Sequence, residues 1–226
     1  MTEKKSLLVL RLEGVLQSWG ESAKWDFRDS STMPTKSGIV GLLGCALGAE
    51  RGSAVLEELA GSITIAVRAD RSGVKFVDFQ TVQGNPLMAA TGKPKSTGNT
   101  ILSLHAYLQD ACFTVFIETS DVWRERLAAA LKNPKWCMYL GRKNCVPGRP
   151  VLECENAVFP GLEEALRDYP AAERAECPMI YEMECPGEAA AGLFRPDALV
   201  GVERQFEMRR VWRGVIGEVQ HVSDKS

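Results

Sequence analysis

The chain has 226 residues, 45% of them hydrophobic and 25% charged, which allows one large domain with a substantial core. Its formal net charge of -2 and pI near 5.8 exclude a wholly basic nucleic-acid coat, so a polyanion site has to be a local patch.

Ser6 to Glu13 begins as an apolar run and ends in alternation, predicting a largely buried first strand with Arg11 and Glu13 outward. The apolar stretch Leu7 to Leu10 is too short for a signal-peptide core or a membrane span, so a soluble, cytoplasmic protein is expected, with no membrane partner. Val15 to Met33 shows neither period and carries Gln17, Trp19, Gly20, Lys24, Trp25, Phe27 and Arg28. It is expected to be a long loop whose aromatic and basic groups either meet a ligand or pin the loop to the core.

Pro34 to Gly38 opens a helix capped by Thr35 or Ser37, with Ile39, Val40, Leu42, Leu43, Ala46 and Leu47 on its apolar side and Gly48 as its stop. Glycines 38, 41, 44 and 48 lack the dinucleotide fingerprint and suit close packing. The helix start, with Lys36 and Ser37 beside its free N–H groups, is a candidate anion site.

Residues 53–61 are predicted as a short helix. Ser62 to Arg68 and Lys75 to Gln83 are predicted as strands, joined into a hairpin by the turn Asp70 to Gly73. Gly84 to Ser103 is polar, holds Lys93 and Lys95 without an acid, and is expected to be an exposed insertion such as a projecting hairpin.

Ala111 to Glu118 is predicted as a third strand. Asp121 is expected to cap a helix over Val122 to Lys132, with Trp123, Leu127, Ala130 and Leu131 inward. Trp136 to Leu140 is predicted as a strand feeding the loop Tyr139 to Arg149, in which Arg142, Lys143 and Arg149 stand among glycines. Lys135 to Arg149 has four basic residues and no acid, whereas Glu153 to Glu176 has seven acids against Arg167 and Arg174, so charge is segregated along the chain. Further strands are expected over Val151 to Val158, Met179 to Glu184 and Val202 to Gly214, with a short acidic helix over Pro160 to Arg167. The order fits an α+β, ferredoxin-like core.

The catalytic inventory is thin. Only His105 and His221 are present, seven cysteines form no CxxC pair, and no nucleophile elbow, phosphate-binding loop or paired-carboxylate motif occurs. No metal and no cofactor are expected. Basic loops and aromatic rings describe binding, because cations neutralise phosphates and rings stack on unpaired bases.

Five separated motifs carry a resemblance: Leu12 to Gly20, Pro34 to Gly44, Tyr107 to Phe113, Tyr139 to Cys145, and Arg204 to Phe206. In this order they resemble the fifth Cas family of the RAMP superfamily, in the CasD form found in type I-E CRISPR Cascade complexes. The resemblance implies a single RAMP-type (RRM-like) domain over residues 1–226, with a thumb insertion about 84–103 and a C-terminal β-rich extension. It implies a non-catalytic crRNA-binding subunit of an antiviral ribonucleoprotein, gripping the 5′ handle and capping the backbone subunits. Implied partners are crRNA, the backbone subunit, the large subunit, and target DNA near the handle–spacer junction. The implied RNA-binding residues are Gln17, Trp19, Lys36, Ser37, Arg142, Lys143, Arg204 and Gln205, with Lys93 and Lys95 on the thumb. Two departures stand out. The family's Ser-Cys-Pro is replaced by Asn144-Cys145-Val146-Pro147, and His105 follows Leu104 where the family's nuclease branch has a lysine. The alternative implied by that branch is a metal-independent endoribonuclease processing the crRNA precursor.

Overall fold

The computed structural model describes residues 5–21, 27–84, 86–88, 92–94, 100–185, 192–200 and 205–217. The elements in chain order are β1 (Lys5–Glu13), β2 (Leu16–Gln17), β3 (Phe27–Arg28), α1 (Lys36–Leu47), α2 (Ala54–Ser62), β4 (Thr64–Arg71), β5 (Val74–Gln83), β6 (Thr100–Gln109) and β7 (Cys112–Glu118). They continue with α3 (Asp121–Lys132), β8 (Leu152–Phe159), α4 (Leu162–Asp168), β9 (Met179–Glu184), β10 (Leu193–Val200) and β11 (Gln205–Ile216). The fold is mixed α/β, with far more sheet than helix.

A seven-stranded antiparallel sheet runs β10-β11-β9-β4-β7-β1-β8. The strand β1 lies inside it and is covered on both faces, which is why its sequence reads as a nearly continuous apolar run. Leu8, Leu10 and Leu12 enter the main core with Ile39 and Leu43 of α1 and Leu127 of α3, while Leu7 and Val9 enter a smaller core with Leu162 and Leu166 of α4.

The two-sided cover overturns the outward placement of Arg11. Its side chain is 3% exposed, ion-paired to buried Asp70, and donates to Thr114 Oγ1 at 2.7 Å. Arg68 also binds Asp70, and its guanidinium donates to the carbonyls of Leu166 and Tyr169 at the end of α4. These charges are internal because α4 and the turn after it close over the sheet, and each buried charge has a partner.

A second sheet holds β2, β3, β5 and β6, with β5 and β6 forming a long antiparallel ladder from Val74↔Gln109 to Gln83↔Thr100. The expected hairpin between the strands now β4 and β5 does not form. Both edges of β4 are taken by β7 and β9, so β5 crosses to β6 for its hydrogen bonds. Residues 100–103, assigned from sequence to the insertion, belong to β6.

Two further expectations are corrected. Trp136 to Leu140 is not a strand: Lys135 N and Trp136 N donate to the Ala46 and Cys45 carbonyls, satisfying orphan acceptors at the end of α1. Ser120 rather than Asp121 caps α3, accepting from Trp123 N. Thr35 caps α1, accepting from Gly38 N, and Gly48 ends it in the left-handed region.

Candidate nucleic-acid interface

A cleft of about 970 Å³ opens where the first loop, one side of α1 and the segment 136–146 meet. Its cationic lining is Arg28, Arg51, Arg142 and Lys143, its aromatic lining Trp19, Trp136 and Tyr139, and no Asp or Glu lines it among the described residues. Cations gathered along one recess raise the local concentration of anions.

The loop that supplies Arg142 is held by close backbone packing. Ser18 N donates to the Leu140 carbonyl at 3.1 Å, and Leu140 N donates to the Cys145 carbonyl at 2.7 Å. Gly141 has φ +87, and a Cβ there would stand 1.7 Å from the Ser18 oxygen, so only glycine fits. Arg142 then reaches across the cleft wall. Its guanidinium donates to the carbonyls of Arg28 (2.9 Å), Asp29 (3.0 Å) and Ala106 (3.3 Å), and lies 4.9 Å from the centre of the Tyr107 ring. It stitches the first loop to β6 while keeping its charge at the wall. Lys143, the next residue, is exposed and has no hydrogen-bond or ion-pair partner among the described residues. Arg51, after the end of α1, is in the same condition.

The other anticipated contacts land differently. Gln17 is 0% exposed; its amide nitrogen donates to the Leu12 and Ala111 carbonyls and its oxygen accepts from Trp19 Nε1 at 3.1 Å. Trp19 is 1% exposed and packs on the first turn of α1. Both side chains are buried and position the loop. Lys36 is also turned inward: its Nζ bonds the Ile63 carbonyl and Glu184, each at 2.8 Å. The candidate anion site at the start of α1 is filled by the protein itself, because the Lys36 backbone N–H donates to the Asp197 carboxylate at 2.8 Å. Ser37 does line the cleft, half-buried, 3.4 Å from Thr35 Oγ1. Arg149 is paired with Glu153 at 2.6 Å. Gln205 is exposed on β11 and outside the cleft lining, and Lys93 is exposed beyond β5. Lys95 and Arg204 lie outside the described residues.

Arg51 and Trp136 were not anticipated. Trp136 lies within the basic stretch Lys135 to Arg149 while Arg51 follows Glu50, and the turn after α1 and the pinning of segment 135–136 bring them to one recess.

His105 lies beside the cleft on β6, within 2.9 Å of Ser103 Oγ. Burial, then the charges of Arg142 and Arg28, lower its pKa from the ordinary value. Among the described residues no cluster of His, Cys, Asp or Glu could hold a metal ion, and no helix is long and apolar enough to cross a membrane.

Fold and site together define a two-sheeted α/β protein with a cleft lined by cations. The family model described as CRISPR-associated protein (Cas_Cas5) matches residues 7–212. The CRISPR system Cascade subunit CasD of Escherichia coli (strain K12) is 34% identical over 220 residues, covering 91% of this chain and 94% of its own. A solved structure described as a Cas protein is 35% identical with a TM-score of 0.72, covering 92% of this chain and 94% of that one. A chain of a CRISPR RNA-guided surveillance complex is 29% identical with a TM-score of 0.75, covering 93% and 90%. This chain belongs to the Cas5 family of CRISPR-associated proteins.

Proposed function

We propose that this chain is a non-catalytic, crRNA-binding subunit of a Cascade-type CRISPR surveillance complex, and that its cleft grips the 5′ handle of the crRNA. The observation that carries this reading is the cleft itself: among the described residues four cations and no acid line it, and Lys143 and Arg51 are unpaired. Phosphates supply the charge that such a lining lacks, and exposed rings accept unpaired bases.

The order β1-α1-β4-β7-α3-β8, with sheet order β8-β1-β7-β4, supports a ferredoxin-like RAMP core within a single domain. In this reading β5, β6 and the polar segment at their tip are the thumb, working near target DNA at the handle–spacer junction, and β9 to β11 are the C-terminal extension. The protein caps the backbone subunits and meets the large subunit in the cytoplasm. Gln17, Trp19 and Arg142 shape the site, Ser37 and Lys143 face the RNA, and Lys93 and Gln205 belong to surfaces outside the cleft.

A titration with handle RNA and a scrambled control tests the reading. Preferential handle binding with a steep salt dependence is the expected result. Equal binding of both RNAs with a flat salt response would overturn it. A discrete cut within repeat RNA, lost in His105→Ala, would overturn the non-catalytic part in favour of an endoribonuclease.

A further inference from the structure

We propose that the end of the cleft formed by Trp136 and Arg51 is a stacking site for one unpaired nucleotide, its base on the Trp136 indole and its phosphate at Arg51. The proposal rests on the reading that the cleft takes RNA and names a site within it.

Trp136 combines a fixed backbone with a free ring. The segment lies outside regular secondary structure, yet Lys135 N and Trp136 N are bound to the Ala46 and Cys45 carbonyls at 3.0 and 3.2 Å. The side chain is nevertheless 47% exposed. A single exposed apolar residue is ordinary on a protein surface. This one differs because it lines a recess whose charged lining, among the described residues, is wholly cationic. An indole there offers a flat platform at little entropic cost, since its backbone is already held.

Arg51 provides charge in the same recess. The left-handed Gly48 turns the chain at the end of α1 and brings Ala49 and Arg51 to the same recess. The Arg51 guanidinium has no carboxylate or carbonyl partner among the described residues, although Glu50 is its neighbour in sequence. A guanidinium left open in this way can take two phosphate oxygens at once.

Gly41, which lines the same recess, supplies an independent observation. It lies within α1, has no positive φ, and a Cβ there would meet nothing within 4 Å. Glycine is less favourable than alanine inside a helix, so neither backbone conformation nor packing against the protein accounts for it. A ligand lying against the helix does. Stacking requires a base with an open face, which makes the occupant an unpaired nucleotide rather than a duplex.

The test is fluorescence anisotropy of the full chain with labelled single-stranded handle RNA. The variants are Trp136→Ala, Trp136→Phe, Arg51→Ala, Gly41→Ala and Gly41→Glu, with melting temperatures measured alongside. Trp136→Ala is expected to weaken binding about 5- to 150-fold and Trp136→Phe much less. Arg51→Ala is expected to weaken binding and to reduce the slope of log affinity against log salt by about 0.7. Gly41→Ala should melt no lower than wild type, whereas Gly41→Glu, which puts a carboxylate into the cleft, should fold and bind poorly. If wild type binds and both Trp136→Ala and Arg51→Ala bind equally well, this site is wrong and the RNA role of the cleft stands. If wild type does not bind, the RNA role itself falls. Should Trp136→Ala fail to fold, Trp136→Phe and Arg51→Ala still decide the matter.

Discussion

A Cβ on Gly141 would stand 1.7 Å from the carbonyl oxygen of Ser18, a separation no side chain can occupy. The contact fixes the basic loop against the first loop, and with it the spacing of Arg142 from Arg28 and Asp29. Gly141→Ala therefore has to push the two loops apart as well as strain a φ of +87. We expect a loss of roughly 2–4 kcal/mol in urea denaturation and a weaker grip on handle RNA. A variant with wild-type stability and affinity would show that the cleft does not depend on this approach.

Adjacent cations in that loop should behave oppositely. Arg142 is used structurally, with three carbonyl acceptors and the Tyr107 ring, and a lysine cannot reproduce that planar fork. Arg142→Lys is expected to cost about 1–3 kcal/mol of stability. Lys143→Ala should leave stability within about 0.5 kcal/mol of wild type and lower the salt slope of RNA binding by about 0.7. Paired denaturation curves and salt titrations check both, and an inverted pattern would exchange the two assignments.

Sequence alone marked this loop because fifteen residues without an acid are visible in one dimension. It could not tell that Gln17 and Trp19 are buried, since an amide serves equally well for hydrogen-bonding a ligand or the backbone and an indole for stacking or packing. The strands β1 and β7 and the helices α1 and α3 were legible because each buries a face that its own pattern announces. The pairing of β5 was not, because it depends on which edges of β4 are already occupied, a non-local fact. The strand β10 was missed for a related reason: Pro196 and Asp197 interrupt its pattern, and its ladder with β11 carries an irregularity there.

The carboxylate of Asp197 does work that sequence reasoning had assigned to a ligand. It is 1% exposed, accepts from Lys36 N, and is gripped by Arg209 at 2.7 and 2.8 Å. It thereby ties β10 and β11 to the start of α1. Asp197→Ala leaves the half-buried Arg209 with Glu184 at 3.5 Å and the helix N–H without its acceptor. The expected cost is about 3 kcal/mol, read by urea denaturation. A small change would mean that the C-terminal strands are not coupled to α1 through this carboxylate.

Cysteine reactivity offers a footprint of the cleft. Cys137 is exposed and lines it, Cys177 is exposed but lies outside its lining, and burial raises the pKa of Cys145 and pushes that of Cys112 up to about 11. Iodoacetamide at pH 7.5 should label Cys137 and Cys177 and spare Cys145 and Cys112, because the thiolate is the reactive form. Bound handle RNA should protect Cys137 and leave Cys177 reactive. Equal labelling of Cys137 with and without saturating RNA would place the RNA elsewhere.

His105 gives the pH dependence. Burial, then Arg142 and Arg28, hold its pKa below the ordinary value of 6.5, so the folded protein binds this proton more weakly than the unfolded chain. Folding therefore expels the proton. The associated stability is complete above about pH 6.5 and is lost as pH falls through the lower folded value. His105→Gln removes this term. Urea denaturation at pH 8, 6.5 and 5.5 should show wild type losing stability relative to His105→Gln on acidification, and the opposite trend would contradict the electrostatic picture. Because the imidazole is neutral at pH 7.5, the same substitution should leave the charge of the cleft unchanged there, and handle-RNA affinity should be flat from pH 7 to 8.5. A rise in affinity for wild type alone as pH falls below 6.5 is the expected mark of a proton returning beside Arg142.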